Sequence, residues 1–219
     1  MSGRIRVMLA DDHAIVRSGF RRLLEQYPEI VVVAEAGTAE RVYHEFNQCL
    51  PDVLVLDLSM PGASGIETLR RVLARHPQAR IIVFSMHEDA TLAQRALSAG
   101  ARGYVSKSNA PEVLADAVLA VAAGEQFLSG DIAQALARFH DAGRQDPLAV
   151  LSMREFEIFR QLVAGRSAAQ IATALNLSAK TIANYHTSIK QKLNAGSDVE
   201  LVRIAVRLEA LNPRTDACG

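Results

Sequence analysis

Short apolar runs alternate with segments of helical periodicity through the first 124 residues. The runs are nearly continuous and rich in β-branched residues, which is typical of strands buried on both faces of a parallel sheet. Between them, residues such as Val16, Phe20 and Leu23 recur at helical spacing. The pattern predicts a doubly wound α/β domain with a five-stranded parallel sheet, followed by a small all-α domain. The predicted strands cover residues 5–10, 30–36, 52–57, 80–85 and 103–106.

Carboxylates occur where two of these strands end. Asp11 and Asp12 follow the first strand, and Asp57 ends the third. In strand order 2-1-3-4-5 these strands are neighbours, so the three carboxylates meet at the edge where ligands bind in such sheets. Adjacent like charges require a compensating cation, and carboxylate oxygens suit Mg²⁺. Each Asp could instead cap a helix or turn, but three at one edge favour the metal site.

The last two strands place further polar groups at the same edge. Ser85 ends the fourth strand, and Lys107 follows the fifth. Considered singly, Ser85 is interpreted as a turn residue and Lys107 as a solvated surface lysine. Together with the carboxylates they predict a site for a phosphoryl group, because a cation and a hydroxyl can stabilise the charge that develops on its oxygens.

The second half of the chain is helical. Residues 140–147 contain the Gly, Asp and Pro of a linker. Beyond them, Ser167 with Gln170 predicts a capping box, and Ser178 predicts the cap of a further helix at 179–193. Two helices joined by a short turn indicate a helix-turn-helix.

The second of these helices carries a polar face with only one formal charge. Lys180, Asn184, Thr187 and Gln191 recur on it, and no acidic residue occurs between residues 178 and 196. Asn, Gln and Thr are the side chains that hydrogen-bond base edges in the major groove, whereas Lys contacts phosphates. The face therefore predicts DNA binding; the alternative is an ordinary solvated face.

Composition and charge say less about function than the motifs do. The chain carries 24 basic and 24 acidic residues, but residues 1–146 have 15 basic against 18 acidic and residues 147–219 have 9 against 6. This mild asymmetry favours an anionic partner for the second half. Cys49 and Cys218 have no metal-ligand spacing, and no apolar run reaches membrane-spanning length. We expect a cytoplasmic protein with no membrane partner.

The first half resembles a known family through the motifs "ADDH", "LDLSMPGASG" and "GYVSK". They are similar to those of the flavodoxin-like receiver domain of two-component response regulators. The resemblance implies that a histidine kinase phosphorylates Asp57 and that Asp12, Asp57 and the carbonyl of Ser59 bind Mg²⁺, with Asp11 acting through water. It also implies that Ser85 and Lys107 contact the phosphoryl group and that Tyr104 is the aromatic switch residue, although ordinary core packing explains Tyr104 equally well. Ser108 follows Lys107 where many receivers have proline.

Residues 150–210 resemble the LuxR-type helix-turn-helix domain, a combination found in NarL/FixJ-type regulators. In these, the last helix, here 198–211, commonly forms the dimer contact on DNA. The candidate DNA contacts are Lys180, Thr181, Ala183, Asn184, Thr187, Lys190 and Gln191. Ala183 replaces a lysine of other members, so the target DNA sequence does not transfer.

The predicted organisation is a receiver at 1–124, a partly helical linker at 125–147, the DNA-binding domain at 148–211 and a tail at 212–219. We expect a transcriptional response regulator that binds promoter DNA, dimerises on phosphorylation or on DNA, and is not a turnover enzyme. One alternative is a Mg²⁺-dependent phosphatase with an Asp nucleophile. Such enzymes usually carry a second Asp two residues later, and here that residue is Ser59. Another is an orphan regulator that never receives phosphate.

Overall fold

The chain folds into two compact units that divide near residue 142. The structure is a computed structural model, and it describes residues 3–60, 65–86, 90–109, 111–141, 147–175 and 177–207. The predicted tail and residues 142–146 of the predicted linker lie outside these ranges. No helix within them is long and apolar enough to cross a lipid bilayer.

The first unit contains a parallel sheet of six strands in the order β2-β1-β3-β4-β5-β6. The predicted doubly wound sheet and the order of its first five strands are confirmed. The strands are β1 (Ile5–Ala10), β2 (Ile30–Ala36), β3 (Val53–Leu56), β4 (Ile81–Ser85), β5 (Gly103–Ser106) and β6 (Phe127–Leu128). The sixth strand was not predicted, because two residues are too few to establish a periodicity.

Helices flank this sheet and bury its apolar residues on both faces. They are α1 (Ala14–Leu24), α2 (Ala39–Cys49), α3 (Gly65–Arg75), α4 (Ala90–Ser98), α5 (Pro111–Ala122) and α6 (Gly130–Asp141). On one face Leu24 of α1 and Val118 of α5 pack with Val7, Val55 and Ile82 of the strands. All four residues of β3 are buried, as the continuous apolar run predicted.

The first unit extends past the predicted boundary at residue 124. The segment expected to begin the linker forms β6, which pairs with β5, and α6, which packs against α4 and β5. Ile132 and Leu136, on the apolar side of α6, are buried. The main-chain N–H of Ser129 donates to the carbonyl of Tyr104 at 3.1 Å. These contacts make β6 and α6 part of the receiver-like unit.

The second unit is helical. It contains a 3₁₀ helix (Pro147–Val150) followed by α7 (Met153–Val163), α8 (Ala168–Ala174), α9 (Ala179–Lys192) and α10 (Asp198–Arg207). The capping box of Ser167 and Gln170 and the cap by Ser178 form as predicted. Phe159 of α7, Ile171 of α8, and Ile182 and Ile189 of α9 are fully buried and provide the unit with its own core.

Candidate functional site

The carboxylates predicted at the sheet edge lie together because main-chain bonds join the strand ends. The N–H of Asp57 donates to the carbonyl of Ala10 at 2.8 Å, and the N–H of Asp11 donates to the carbonyl of Ala36 at 3.0 Å. Asp11 and Asp57 are buried, whereas the side chain of Asp12 is 29% exposed. The edge therefore offers two buried acids and one accessible acid.

Lys107 binds both buried acids. Its Nζ donates to Oδ2 of Asp11 at 2.5 Å and to Oδ2 of Asp57 at 2.7 Å. Burial would lower the pKa of Lys107, but the carboxylates of Asp57 and Asp11 outweigh it and the pKa is raised, so the ammonium stays charged. Burial raises the pKa of Asp57, and the charge of Lys107 only partly offsets this.

The acidic cluster can hold a metal ion. Ligand atoms of Asp11, Asp12, His13 and Asp57 lie within 4.8 Å of one another. His13 was not predicted to belong to the site; its Nδ1 lies 2.8 Å from Oδ1 of Asp12, and its main-chain N–H donates to Oδ1 of Asp11 at 2.7 Å. Three carboxylates with one shared ammonium leave an excess of negative charge and hard oxygen donors, which fits a divalent cation.

The remaining residues predicted for this site lie at the same edge. Ser85 is the last residue of β4, pairs with Ser106 of β5 and is fully buried. Its carbonyl accepts the N–H of Lys107 at 2.8 Å. Ser59 is exposed, and its N–H donates to Oδ1 of Asp57 at 2.9 Å. The bond between Lys107 and Ser108 is trans, because the described residues contain no cis peptide.

Tyr104 occupies the second position of β5 and is fully buried. This burial agrees both with ordinary core packing and with the inward position of a switch residue. Its role as a switch therefore stays a prediction.

Tight packing beneath the site holds the loop after β3. A Cβ added to Gly65, at the start of α3, would lie 2.3 Å from Cα of Leu58 and 2.8 Å from its carbonyl oxygen. Only glycine allows α3 to begin this close to the segment that carries Asp57. The sequence shows the glycine but not the contact that requires it.

The predicted DNA-reading face of α9 is exposed. Lys180, Ala183, Asn184, Thr187 and Gln191 are exposed, while Thr181 and Lys190 are half-buried. This follows from the burial of Ile182 and Ile189 on the opposite side of the helix.

Several of these side chains already have partners within the helical unit. Thr181 binds Ser178 of the helix cap, and the hydroxyl of Thr187 donates to the carbonyl of Ala183 at 3.1 Å. Nζ of Lys190 donates to Oδ1 of Asp198 at 3.2 Å. Within the described part of the chain, the side chains of Lys180, Asn184 and Gln191 make no such bond, so they are free for other contacts.

A buried acid, Glu155, holds α9 in position, and the sequence motifs did not predict this role. Glu155, in the first turn of α7, completes a capping box with Ser152 and also binds two side chains of α9, Ser188 and Lys192. The sequence pattern Ser152-x-x-Glu155 could have indicated the capping box. The bonds to α9 depend on how the helices pack.

Two family models match the chain, one for each unit. Residues 7–119 match the response regulator receiver domain, and residues 149–205 match the bacterial regulatory proteins of the luxR family. Both matches fall on the units that carry the acidic site and the exposed face of α9. They agree with the resemblance inferred from the sequence motifs.

Curated relatives match over nearly the whole length. The response regulator UvrY of Escherichia coli K12 is 37% identical over 213 residues, covering 96% of this chain and 98% of that protein. The transcriptional regulatory protein UhpA of Salmonella typhimurium is 41% identical over 198 residues, covering 90% of this chain and 95% of that protein.

Among solved structures, RcsB from Salmonella enterica serovar Typhimurium, bound to promoter P1flhDC in the presence of phosphomimetic BeF3-, superposes with a TM-score of 0.67. It is 29% identical, and the match covers 95% of this chain and 100% of that one. The chain therefore belongs to the NarL/FixJ-type two-component response regulators, in which a receiver domain is joined to a LuxR-type DNA-binding domain.

Proposed function

We propose that this transcriptional regulator is switched when a partner histidine kinase transfers a phosphoryl group to Asp57. The observation that carries the proposal is the buried ammonium of Lys107, which binds Asp11 and Asp57 at the edge where Asp12 and Ser85 also lie. A buried cation beside an acceptor carboxylate is the arrangement that phosphoryl transfer requires, because negative charge accumulates on the transferred oxygens.

In the proposed reaction, a carboxylate oxygen of Asp57 forms a bond to phosphorus as the bond from phosphorus to the kinase histidine nitrogen breaks. The electron pair of that bond remains on the imidazole nitrogen. Lys107 then pairs with a phosphoryl oxygen, and the hydroxyl of Ser85 hydrogen-bonds another. The product is an acyl phosphate on Asp57.

Mg²⁺ fits the acidic cluster, and we propose that Asp12, Asp57 and the carbonyl of Ser59 hold it, with Asp11 acting through water. When bound, the ion neutralises charge on the phosphoryl oxygens. The residues of the chain orient the acceptor: the N–H of Ser59 holds one oxygen of Asp57, and Lys107 holds the other.

For the second unit, we propose that α9 enters the major groove of promoter DNA. Within the described residues the side chains of Asn184 and Gln191 have no bonding partner, which supports base contacts, and the ammonium of Lys180 has none, which supports a phosphate contact. Thr181, Ala183, Thr187 and Lys190 remain candidate contacts at the same surface.

We further propose that two copies associate through α10. Val199, Val202 and Val206 form an exposed apolar stripe on this helix. An exposed stripe of this kind marks an interaction surface, and its place in the last helix agrees with the dimer contact expected of the family. Phosphorylation, with Tyr104 as the switch residue, would control this association in the cytoplasm.

These assignments weigh against the two alternatives. A phosphatase with an Asp nucleophile usually needs a second acid two residues on, where Ser59 stands, so we propose a regulator without substrate turnover. An orphan regulator has no need of a complete acceptor site. We propose the domain limits 3–141 for the receiver and 147–207 for the DNA-binding part within the described residues.

The test is labelling of the protein by acetyl phosphate with Mg²⁺. We expect one base-labile phosphoryl group per chain, lost in Asp57→Asn and weakened in Asp12→Ala. Asp116→Asn, which changes an exposed carboxylate of α5, is the matched control and should label normally. Undiminished labelling of Asp57→Asn would move the acceptor elsewhere, and many turnovers of small phosphate esters would favour the phosphatase.

A further inference from the structure

Arg17 of α1 connects the helix to the main chain of the acidic site. Its Nη1 donates to the main-chain carbonyl of Asp11 at 2.6 Å. The side chain is 18% exposed, so the guanidinium lies largely inside the protein rather than in solvent. No role for this residue followed from the sequence motifs.

Asp11 is held through both its main chain and its side chain, and the bond from Arg17 to its carbonyl is one of these contacts. The N–H of Asp11 donates to the carbonyl of Ala36, and its side chain accepts from His13 and Lys107. Its carbonyl belongs to the planar peptide group that also contains the nitrogen of Asp12. The bond from Arg17 therefore fixes the orientation of the peptide from which Asp12 departs.

Asp12 depends on this support more than the other acids do. Its carboxylate is partly exposed, and the contact of its Oδ1 with Nδ1 of His13 at 2.8 Å is made to a side chain that is itself 65% exposed. Asp57, by contrast, is held by both Ser59 and Lys107. The position of the Asp12 carboxylate is thus set mainly by its main chain.

A second acid holds Arg17 in place. Oε2 of Glu35, in β2, accepts from Nε of Arg17 at 3.3 Å, and Oε1 accepts from Nη1 of Arg21 at 2.9 Å. Arg17 thereby uses two edges of its planar guanidinium, one toward Glu35 and one toward Asp11. A lysine has a single ammonium and cannot reproduce this fork.

We propose that Arg17 is a positioning residue of the Mg²⁺ and phosphoryl site: it orients the Asp11–Asp12 peptide, and Glu35 orients Arg17. The inference rests on the proposed function, because it concerns Mg²⁺ binding by Asp12. The direction of the change in Mg²⁺ affinity distinguishes this proposal from a purely electrostatic effect of Arg17. Removing a positive charge beside an acidic site strengthens cation binding if charge alone matters, whereas loss of positioning weakens it.

The test measures Mg²⁺ affinity of the full-length, unphosphorylated protein by calorimetry in wild type, Arg17→Met, Arg17→Lys and Glu35→Gln. We expect Arg17→Met to raise the Mg²⁺ dissociation constant about 10-fold, the lower end of the effect of partners that orient metal ligands. Arg17→Lys and Glu35→Gln should give smaller increases. Arg22→Met, which removes an exposed charge of the same helix, should bind Mg²⁺ as the wild type does.

A second readout separates positioning from general damage. Labelling of Arg17→Met by acetyl phosphate should be slow at low Mg²⁺ and recover to nearly the wild-type rate at saturating Mg²⁺. Unchanged or tighter Mg²⁺ binding in Arg17→Met, or a slow rate that Mg²⁺ does not restore, would overturn the proposal. If Arg17→Met does not fold, Arg17→Lys decides by the same two measurements, because it keeps the positive charge and removes only the planar fork. Failure of the wild type itself to bind Mg²⁺ would instead overturn the proposed function.

Discussion

Nζ of Lys192, in the last turn of α9, donates to Oε2 of Glu155, in the first turn of α7, at 2.6 Å. The same carboxylate accepts the hydroxyl of Ser188 at 2.6 Å and the N–H of Ser152 at 2.7 Å. The Glu155 side chain is 5% exposed, whereas that of Lys192 is 41% exposed, so the ion pair lies at the edge of the core. One acid therefore caps the first helix of the DNA-binding unit and fixes the orientation of the helix proposed to read DNA.

The pKa of Glu155 predicts acid-sensitive stability of this unit. Burial would raise the pKa, but the bonds from Lys192, Ser188 and Ser152 lower it from 4.5 to about 2. Because the folded pKa is depressed, the stabilisation is present above pH 4.5 and is lost as the pH falls toward 2. The shift corresponds to roughly 3 kcal/mol.

We expect Glu155→Gln to lower the free energy of unfolding of the second unit at pH 7 by roughly 2–3 kcal/mol. The variant should also lose much of the dependence on pH below 4.5 that the wild type shows. Urea unfolding of the full-length protein, monitored for each transition at several pH values, measures both effects. Glu112→Gln, which alters an exposed acid of α5, is the control; equal stability of the two variants would contradict the role of Glu155.

The contact of Gly65 with Leu58 predicts a strict requirement for glycine. An added methyl group would lie 2.3 Å from Cα of Leu58, so Gly65→Ala must displace the loop that carries Asp57. We expect a loss of about 1–3 kcal/mol in the stability of the receiver and slower labelling by acetyl phosphate.

Gly19→Ala is the matched control for this change. Gly19 lies within α1, and a Cβ there would meet open space. Alanine should stabilise the helix by about 0.5–1 kcal/mol and leave labelling unchanged. Thermal unfolding of the two variants gives the comparison, and a Gly65→Ala protein as stable and as reactive as Gly19→Ala would refute the packing argument.

If the exposed apolar stripe on α10 forms the dimer contact, a charge placed in it should weaken dimerisation. We expect Val202→Asp to weaken self-association of the phosphorylated protein and to reduce affinity for a DNA duplex with two half-sites at least about 10-fold, because a charge replaces apolar contact. Binding to a single half-site should stay nearly constant. Val150→Asp, which changes an exposed valine outside α10, should do neither; sedimentation and DNA titration distinguish the variants.

The sequence could predict the acidic site because topology alone assembles it. Asp11, Asp57, Ser85 and Lys107 each stand at a strand end, and a parallel sheet brings all such ends to one edge. The Arg17 bond to the carbonyl of Asp11 could not be predicted in this way, since it depends on the position and side-chain conformation of α1.

The same distinction applies to the helical unit. The apolar positions of α9, Ile182 and Ile189, are buried as their spacing predicts, so the polar face had to be exposed. The spacing could not show that Lys190 pairs with Asp198. That pair depends on the position of Asp198 at the start of α10, a helix that packs against α7, and it leaves Lys180 as the better candidate for a phosphate contact.

The side-chain amide of Asn184, which has no partner in the part of the chain that the structure describes, makes the proposed DNA-reading face of α9 testable. It lies in the middle of the exposed side of α9, where a carboxamide can bond an adenine edge. We expect Asn184→Ala to cost about 1–3 kcal/mol on the preferred duplex and little on random DNA. Lys180→Ala should weaken both by similar factors and lower the salt slope by about 1, because a phosphate contact carries no sequence information. Titrations of both duplexes at two salt concentrations measure these effects, and an unchanged ratio of specific to random affinity in Asn184→Ala would show that Asn184 does not read the sequence.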